Sequence, residues 1–171
     1  MTINNTEILQ IVGDIETEYN NSTTTTHYAV LYSKLAVIEF CGWIEQVFDE
    51  ILDEYITDKL MLPANYNHIK NNIIAPNYGL HYEKNFRKMM MSIIGINNLE
   101  SLEDTLESHS AHLSTFKSIL GSFTTTRNIA AHTYTPHLGF TTTYQSPSIV
   151  ISNIHTITPI LQDIEQLIMR H

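Results

Sequence analysis

The segment "VIEFCGWIEQVFDEILDEY", residues 37–55, carries apolar side chains at steps of three and four residues. These apolar positions are Val37, Cys41, Ile44, Phe48, Ile51 and Tyr55. Because an α-helix turns about once every 3.6 residues, this spacing places them on one face of a helix. The pattern predicts a long amphipathic helix that ends before Pro63, since proline cannot continue it.

Four further stretches repeat the helical period. They are residues 6–20, 82–93, 113–123 and 154–168. Gly95 predicts the end of the second of these helices, and a short additional helix is expected around Asn67–Ile74. Strand signals are few, because the β-prone stretch "GFTTTYQ", residues 139–145, is short and lies between helical patterns. The chain is therefore predicted to be all-α.

Several residues predict where helices begin, end or break. Ser101 is placed to cap the start of one helix, and Ser146 followed by Pro147 predicts the start of the last. Pro159 is expected to kink this last helix or to split it in two. The stretch 121–126, "GSFTTT", predicts a break, with a new helix starting directly after it under a threonine cap. Such a helix start is a favourable place for a phosphate.

Chain length and cysteine content bound the organisation. At 171 residues the chain matches a common single-domain size, so residues 1–171 are expected to form one domain. Cys41, the only cysteine, cannot form an internal disulfide, which fits a reducing compartment. The N-terminal stretch lacks a basic leader and no apolar run approaches a membrane span. We expect a cytoplasmic protein without a membrane segment.

The charge balance argues against diffuse binding of nucleic acid. The formal net charge is -9, and such binding depends on neutralising phosphates. Five of the nine basic residues nevertheless fall between positions 84 and 127. They are Lys84, Arg87, Lys88, Lys117 and Arg127. The first four are candidates for guiding RNA, although a solvated helix face is the simpler interpretation.

The stretch "RNIAAHTY", residues 127–134, is the strongest candidate site. Asn128 and His132 are four residues apart, so the amide is placed to orient the imidazole, whereas Arg127 and His132 lie about 140° apart around a helix. A histidine titrates near neutrality, and an arginine stabilises charge on phosphoryl oxygens. Together they suit metal-free transesterification of RNA. A structural interpretation, with Arg127 on the surface and His132 a satisfied helix residue, stays open.

The motif resembles that of HEPN domains, in which Arg, a polar residue and a later His stand near the end of an all-α bundle. The segment around residues 34–51, the tail after His132 and the final helix are similar to the RiboL-PSP-HEPN subgroup. The resemblance implies an up-and-down bundle of about five helices. It also implies a homodimer whose two motifs face a shared cleft, in which many members cut RNA without metal.

The resemblance also implies roles for single residues. Arg127 would bind phosphate and the transition state, His132 would transfer protons or orient substrate, and Asn128 would position them. A tyrosine two residues after the histidine, as in Tyr134, is the position that a partner nucleotidyltransferase modifies with AMP in the toxin–antitoxin branch. The expected partners are RNA, a second copy of the chain and an antitoxin or defence protein. No metal or other cofactor is expected.

Acidic residues on the long helix offer a different chemistry. Glu45, Asp49 and Asp53 step by four, but a two-metal bundle site needs Glu with His three residues later, and no such pair occurs. Either Glu39 or Glu45 is a candidate ion-pair partner of Arg127. The preferred hypothesis is a metal-independent endoribonuclease in a toxin or antiviral defence setting. The alternatives are a non-catalytic helical dimer that binds nucleotides or RNA as a regulatory module, and a bundle metalloenzyme.

Overall fold

A computed structural model describes residues 3–21, 23–136 and 143–170 of the chain. Its α-helices are α1 Thr6–Tyr19, α2 Thr26–Lys59, α3 Pro63–Ile69, α4 Phe86–Ile94, α5 Ile96–Ser110, α6 His112–His132 and α7 Pro147–Met169, with a π-helix at Lys70–Ile74. No strand occurs among these residues. The all-α prediction is confirmed, and the described residues form seven α-helices where about five helices were expected.

Helix α2 is the central element of the bundle, because it packs against α1, α4, α6 and α7. The predicted apolar face is buried from Val37 to Ile51. Aromatic rings connect this face to the neighbouring helices. The ring centres of Phe40 and Phe123 are 4.5 Å apart, and those of Phe48 and Phe86 are 4.3 Å apart. Burying rings of this size stabilises the packing of α2 on α6 and α4.

The predicted break at residues 121–126 is wrong, since α6 runs without interruption from His112 to His132. Threonine hydroxyls explain the difference. Thr124 donates to the carbonyl of Leu120 at 2.7 Å, and Thr126 donates to that of Ser122 at 3.2 Å. Within a helix these side chains bond one turn back, so they do not cap a new start.

The start of α5 also differs from the prediction. Ser101 lies inside this helix and caps nothing, because α5 begins at Ile96 directly after Gly95. Gly95 has φ 82°, a conformation that favours glycine, and it ends α4 as predicted. The two helices therefore meet at a single residue.

The final helix keeps its predicted start but is not split. Ser146 and Pro147 stand at its first positions, although the Ser146 hydroxyl bonds Ser148 at 2.9 Å and makes no cap. Pro159 lies within the continuous helix. The β-prone stretch before it falls mostly outside the described residues. No helix in the described part of the chain is long and apolar enough to cross a membrane.

Candidate functional site

The candidate motif occupies the last two turns of α6, where the helix leaves the core. Phe123 and Ala130 are buried, whereas Asn128 and His132 are exposed. Arg127 lies between these two environments, with 34% of its side chain exposed. The core fixes the backbone of the motif, and its polar side chains reach solvent.

Glu45 on α2 pairs with Arg127, so one of the two predicted acidic partners is confirmed. A guanidinium nitrogen, Nη2, lies 3.8 Å from Glu45 Oε1, and 25% of the Glu45 side chain is exposed. This is an ion pair without a hydrogen bond at this distance. Among the described residues the guanidinium makes no hydrogen bond, so its N–H groups are free to bind an anion.

Helix geometry explains why these two residues meet. The ring pairs Phe40–Phe123 and Phe48–Phe116 show that α2 and α6 run antiparallel. Side chains on a helix lean toward its N-terminus, so Arg127 and Glu45 lean toward each other beside Cys41. Burial raises the pKa of the Cys41 thiol to about 12, with a further increase from Glu45 and an opposing effect of Arg127.

A hollow of about 280 Å³ lies beside Arg127. Its walls come from α6 and from the segment before α4, and they consist of Tyr78, Gly79, Leu80, His81, Lys84, Asn85, Thr124, Arg127 and Asn128. No carboxylate is among these lining residues. Of the four predicted RNA-contacting cations, only Lys84 shares this hollow with Arg127.

The remaining predicted cations lie elsewhere. Arg87 Nε donates to Glu103 at 2.9 Å, which makes a largely shielded ion pair. Lys117 lies 3.2 Å from Glu83 and 4.5 Å from the centre of the Tyr82 ring. Both cations are thus paired with carboxylates. Glu103 lies 16 positions from Arg87 in sequence, and Glu83 lies 34 positions from Lys117. Glu83 also lies 3.5 Å from Arg87, one helical turn away.

Lys88 borders a second hollow, together with Asn72, Asn77 and Ser92. This hollow does not include the motif. The structure therefore separates Lys88 from Lys84, although they stand one helical turn apart in the sequence pattern.

His132 ends α6 and is exposed. It lies about 7.5 Å along the helix axis from Arg127 and about 140° around it, so the two side chains leave different faces. The predicted hydrogen bond between Asn128 and His132 is not present among the described contacts. The helix alone does not bring the three motif residues together.

The segment after the motif is fastened to the start of α2. Lys34 Nζ donates to the carbonyl of Thr133 at 2.8 Å, and His27 Nδ1 lies 3.2 Å from the carbonyl of Pro136. Tyr134 lies in the chain between the two anchored residues, Thr133 and Pro136, and is 81% exposed. A fixed backbone thus presents the tyrosine ring to solvent.

An acidic hollow of about 480 Å³ lies along α2, with Glu45, Asp49 and Asp53 on its wall. Lys70 contacts Asp53 at 3.0 Å, while burial, assisted by the neighbouring carboxylates, raises the pKa of Asp49 to about 6. No cluster of three or more metal-ligating side chains occurs among the described residues. The local repulsion makes this hollow unsuitable for phosphate.

A family profile, RiboL-PSP-HEPN, matches residues 3–170. The chain belongs to this family. The match covers every described helix and confirms the HEPN resemblance seen in the sequence. Membership in this HEPN family is consistent with RNA cleavage or nucleotide binding. No curated protein and no solved structure matches the chain.

The raised pKa of Asp49 predicts how the stability of this HEPN domain depends on pH. Folding raises the pKa from 3.8 to about 6, so the folded chain holds this proton more tightly and gains stability as pH falls through about 6. Asp49→Asn is expected to increase the free energy of unfolding at pH 8 by about 1 kcal/mol, a value reduced for the half-exposed position. The gain should shrink toward pH 5.

Urea unfolding at several pH values measures this effect. Asp104→Asn is the matched control, since Asp104 is an exposed carboxylate on α5. A gain that is equal at pH 8 and pH 5, or equal in both variants, contradicts the prediction.

Proposed function

We propose that the chain is a metal-independent endoribonuclease that cleaves RNA by transesterification. The observation that carries this proposal is the position of Arg127. In a protein of net charge -9, its guanidinium borders a hollow lined by Lys84 and by no carboxylate. This is a local site for a phosphate on a surface that otherwise repels one.

The reaction uses the residues of the motif. The ribose 2′-oxygen attacks the adjacent phosphorus, the bond from phosphorus to the 5′-oxygen breaks, and a cyclic phosphate forms. A base accepts the 2′-hydroxyl proton, and an acid returns a proton to the leaving oxygen. We assign these transfers to His132 and charge stabilisation on the phosphoryl oxygens to Arg127. Asn128, which lines the same hollow as Arg127, positions the substrate.

We propose that two copies of the chain complete the site. In one subunit, Arg127 and His132 project from different faces of α6, so a single helix does not direct both side chains toward one phosphate. In the two-fold arrangement that we propose, Arg127 of one subunit lies close to His132 of the other, and the same contact is repeated by symmetry. This supports the homodimer that the family resemblance implies.

Lys84 is the RNA-contacting residue that the geometry favours most, since it shares the Arg127 hollow. Lys88 borders a separate hollow and serves a more distant part of the RNA chain. Arg87 and Lys117 contribute less, because Glu103 and Glu83 already neutralise them. Interactions with RNA phosphates at these positions weaken as salt concentration rises.

A second function, a non-catalytic module that binds nucleotides or RNA, is favoured by one observation. Among the described residues no side chain holds the His132 ring by a hydrogen bond. A general base is commonly oriented by such a partner. Binding of RNA by the pure dimer without cleavage of any RNA type would favour this alternative.

We further propose that the protein acts in a toxin or defence setting, where a partner enzyme controls it through Tyr134. The exposure of this ring, 81%, supports access by a modifying enzyme. The added negative charge beside the motif would repel the RNA backbone.

RNA cleavage by the wild-type protein in chelator is the first prediction of this proposal. His132→Ala and Arg127→Ala are each expected to reduce the cleavage rate by about 100-fold or more, because each removes a group that acts in the transition state. Gel analysis of labelled transfer and messenger RNA, with mapping of the ends, measures the rate and detects the cyclic phosphate.

His155→Ala is the matched control, since His155 is an exposed histidine on α7. Its cleavage rate should equal that of wild type. RNA turnover that continues unchanged in His132→Ala would show that a contaminating nuclease or another site is responsible.

The composite site predicts a dimer in solution. Light scattering should give twice the 19.6 kDa mass of one chain at the concentration of the cleavage assay. The same measurement on His132→Ala should give the same mass, because the substitution removes an exposed side chain. A monomeric mass for an active protein contradicts the composite site.

Modification of Tyr134 is the third prediction. In protein isolated from its own cells, tandem mass spectrometry should find the mass of an adenylyl group on the peptide that carries Tyr134. The half-exposed Tyr28 serves as internal control and should be unmodified. Active nuclease whose Tyr134 is never modified, even when the host's nucleotidyltransferases are present, argues against this mode of control.

A further inference from the structure

An exposed tyrosine stands at the edge of the Arg127 hollow. Tyr78 lies in the segment between the π-helix and α4, and 77% of the residue is exposed. It is not part of the HEPN motif, and it belongs to no apolar face of a helix. A large ring left in water at this place has no evident role in the packing of the core.

The backbone that carries Tyr78 is held firmly by one side chain. Asn85 Nδ2 donates to the carbonyl of Tyr78 at 2.7 Å and to Asn77 Oδ1 at 3.2 Å. Asn85 Oδ1 accepts from the amide of His81 at 3.1 Å. Gly79 has φ 108°, a conformation that glycine adopts without strain. The backbone of the segment is therefore preorganised, and binding has to order only the rotamer of the Tyr78 ring.

Tyr78 also marks a boundary between opposite charges. It lines the hollow that contains Lys84 and Arg127, and it lines the acidic hollow that contains Glu45 and Asp49. A phosphate is attracted to the first hollow and repelled by the second. A nucleotide at this boundary therefore places its phosphate beside Arg127, and its base is the part that reaches Tyr78.

We propose that Tyr78 is a stacking platform for one unpaired RNA base, while an adjoining phosphate of the same strand lies between Arg127 and Lys84. This inference rests on the proposed function and specifies its substrate as single-stranded RNA. Every base has a π-face, so stacking on tyrosine selects unpaired nucleotides with little preference for sequence. In a duplex both faces of a base are covered by its neighbours, and the ring has no face to bind.

The size of the hollow agrees with this assignment. At about 280 Å³ it is slightly smaller than the cavities that hold a whole ligand, which are roughly 300–1,000 Å³. Such a volume holds part of one nucleotide. Tyr78 also lines the acidic hollow, whose carboxylates repel the phosphates of a second strand placed there.

The test measures binding without cleavage. A short fluorescent unpaired RNA and the same RNA annealed to its complement are titrated in chelator with His132→Ala protein, and anisotropy gives the Kd. In this background, Tyr78→Ala should weaken binding of the unpaired RNA by about 5- to 150-fold, the range for loss of one stacked base. Tyr78→Phe keeps the ring and should bind within about twofold of the parent, as stacking requires no hydroxyl.

Tyr28→Ala is the control, because Tyr28 is another exposed tyrosine and lines none of the described hollows. It should leave the Kd unchanged, and thermal unfolding should show that all variants are folded. Equal binding by Tyr78→Ala and its parent overturns the platform. An equal loss of affinity in Tyr78→Phe, or an equal loss of affinity for the duplex in Tyr78→Ala, also overturns it. The same holds if the parent protein does not bind unpaired RNA.

The failures of the two proposals are distinguishable. Tyr78-dependent binding by a wild-type protein that cleaves no RNA rejects the nuclease and keeps the platform. Cleavage that depends on His132 but proceeds equally in Tyr78→Ala, with an unchanged Kd, keeps the nuclease and rejects the platform.

Discussion

The packing of α2 against α6 determines the position of everything else in the candidate site. The Phe40 and Phe123 rings, 4.5 Å apart, fix the level at which the two antiparallel helices cross. On α6, Arg127 stands about one helical turn after Phe123, and on α2, Glu45 stands slightly more than one turn after Phe40. The aromatic contact therefore determines where the two charged side chains meet. A buried apolar contact thereby places a partly exposed polar group, which hydration alone would leave free to move.

The charge distribution of the surface is decided by pairing as much as by composition. Arg87 and Lys117 are paired with Glu103 and Glu83 at 2.9 and 3.2 Å. Lys84 and Arg127 share a hollow lined by no carboxylate, and the contact of Arg127 with Glu45 is longer, at 3.8 Å. The walls of the Arg127 hollow therefore carry no negative side chain, whereas the acidic hollow along α2 carries several. An overall acidic protein can in this way keep one small region in which an anion is stabilised.

The helical period of α2 and of four further stretches, together with the scarcity of strand signals, predicted the all-α fold, because apolar stripes of this period are buried by packing helices together in a bundle. Glu39 and Glu45 were both candidate partners of Arg127 from the sequence, and the structure shows the pair with Glu45. The threonines at 124 and 126 misled the prediction, since a hydroxyl caps a helix or bonds one turn back with the same local sequence. Only tertiary packing distinguishes these two outcomes.

Tyr78 and His81 could not be predicted as site residues, because their spacing in the sequence does not indicate that they lie beside α6. Their position depends on Gly79 and on the three hydrogen bonds of Asn85, which bring the segment against a helix more than 40 positions later in the chain. The sequence pattern and the family resemblance both pointed to the motif, and neither gave information about this wall. Long-range arrangements of this kind leave no periodic signal in a single sequence.

The continuity of α6 has a consequence for how this chain tolerates changes in length. The helix is continuous from Phe116 to His132, so the packing of its buried residues also fixes the rotation of the motif about the helix axis. One residue inserted between Phe123 and Arg127 would turn the motif by about 100° and carry the guanidinium away from Glu45. Substitutions at exposed positions of this helix are compatible with the site, but insertions and deletions between its buried and its polar end are not.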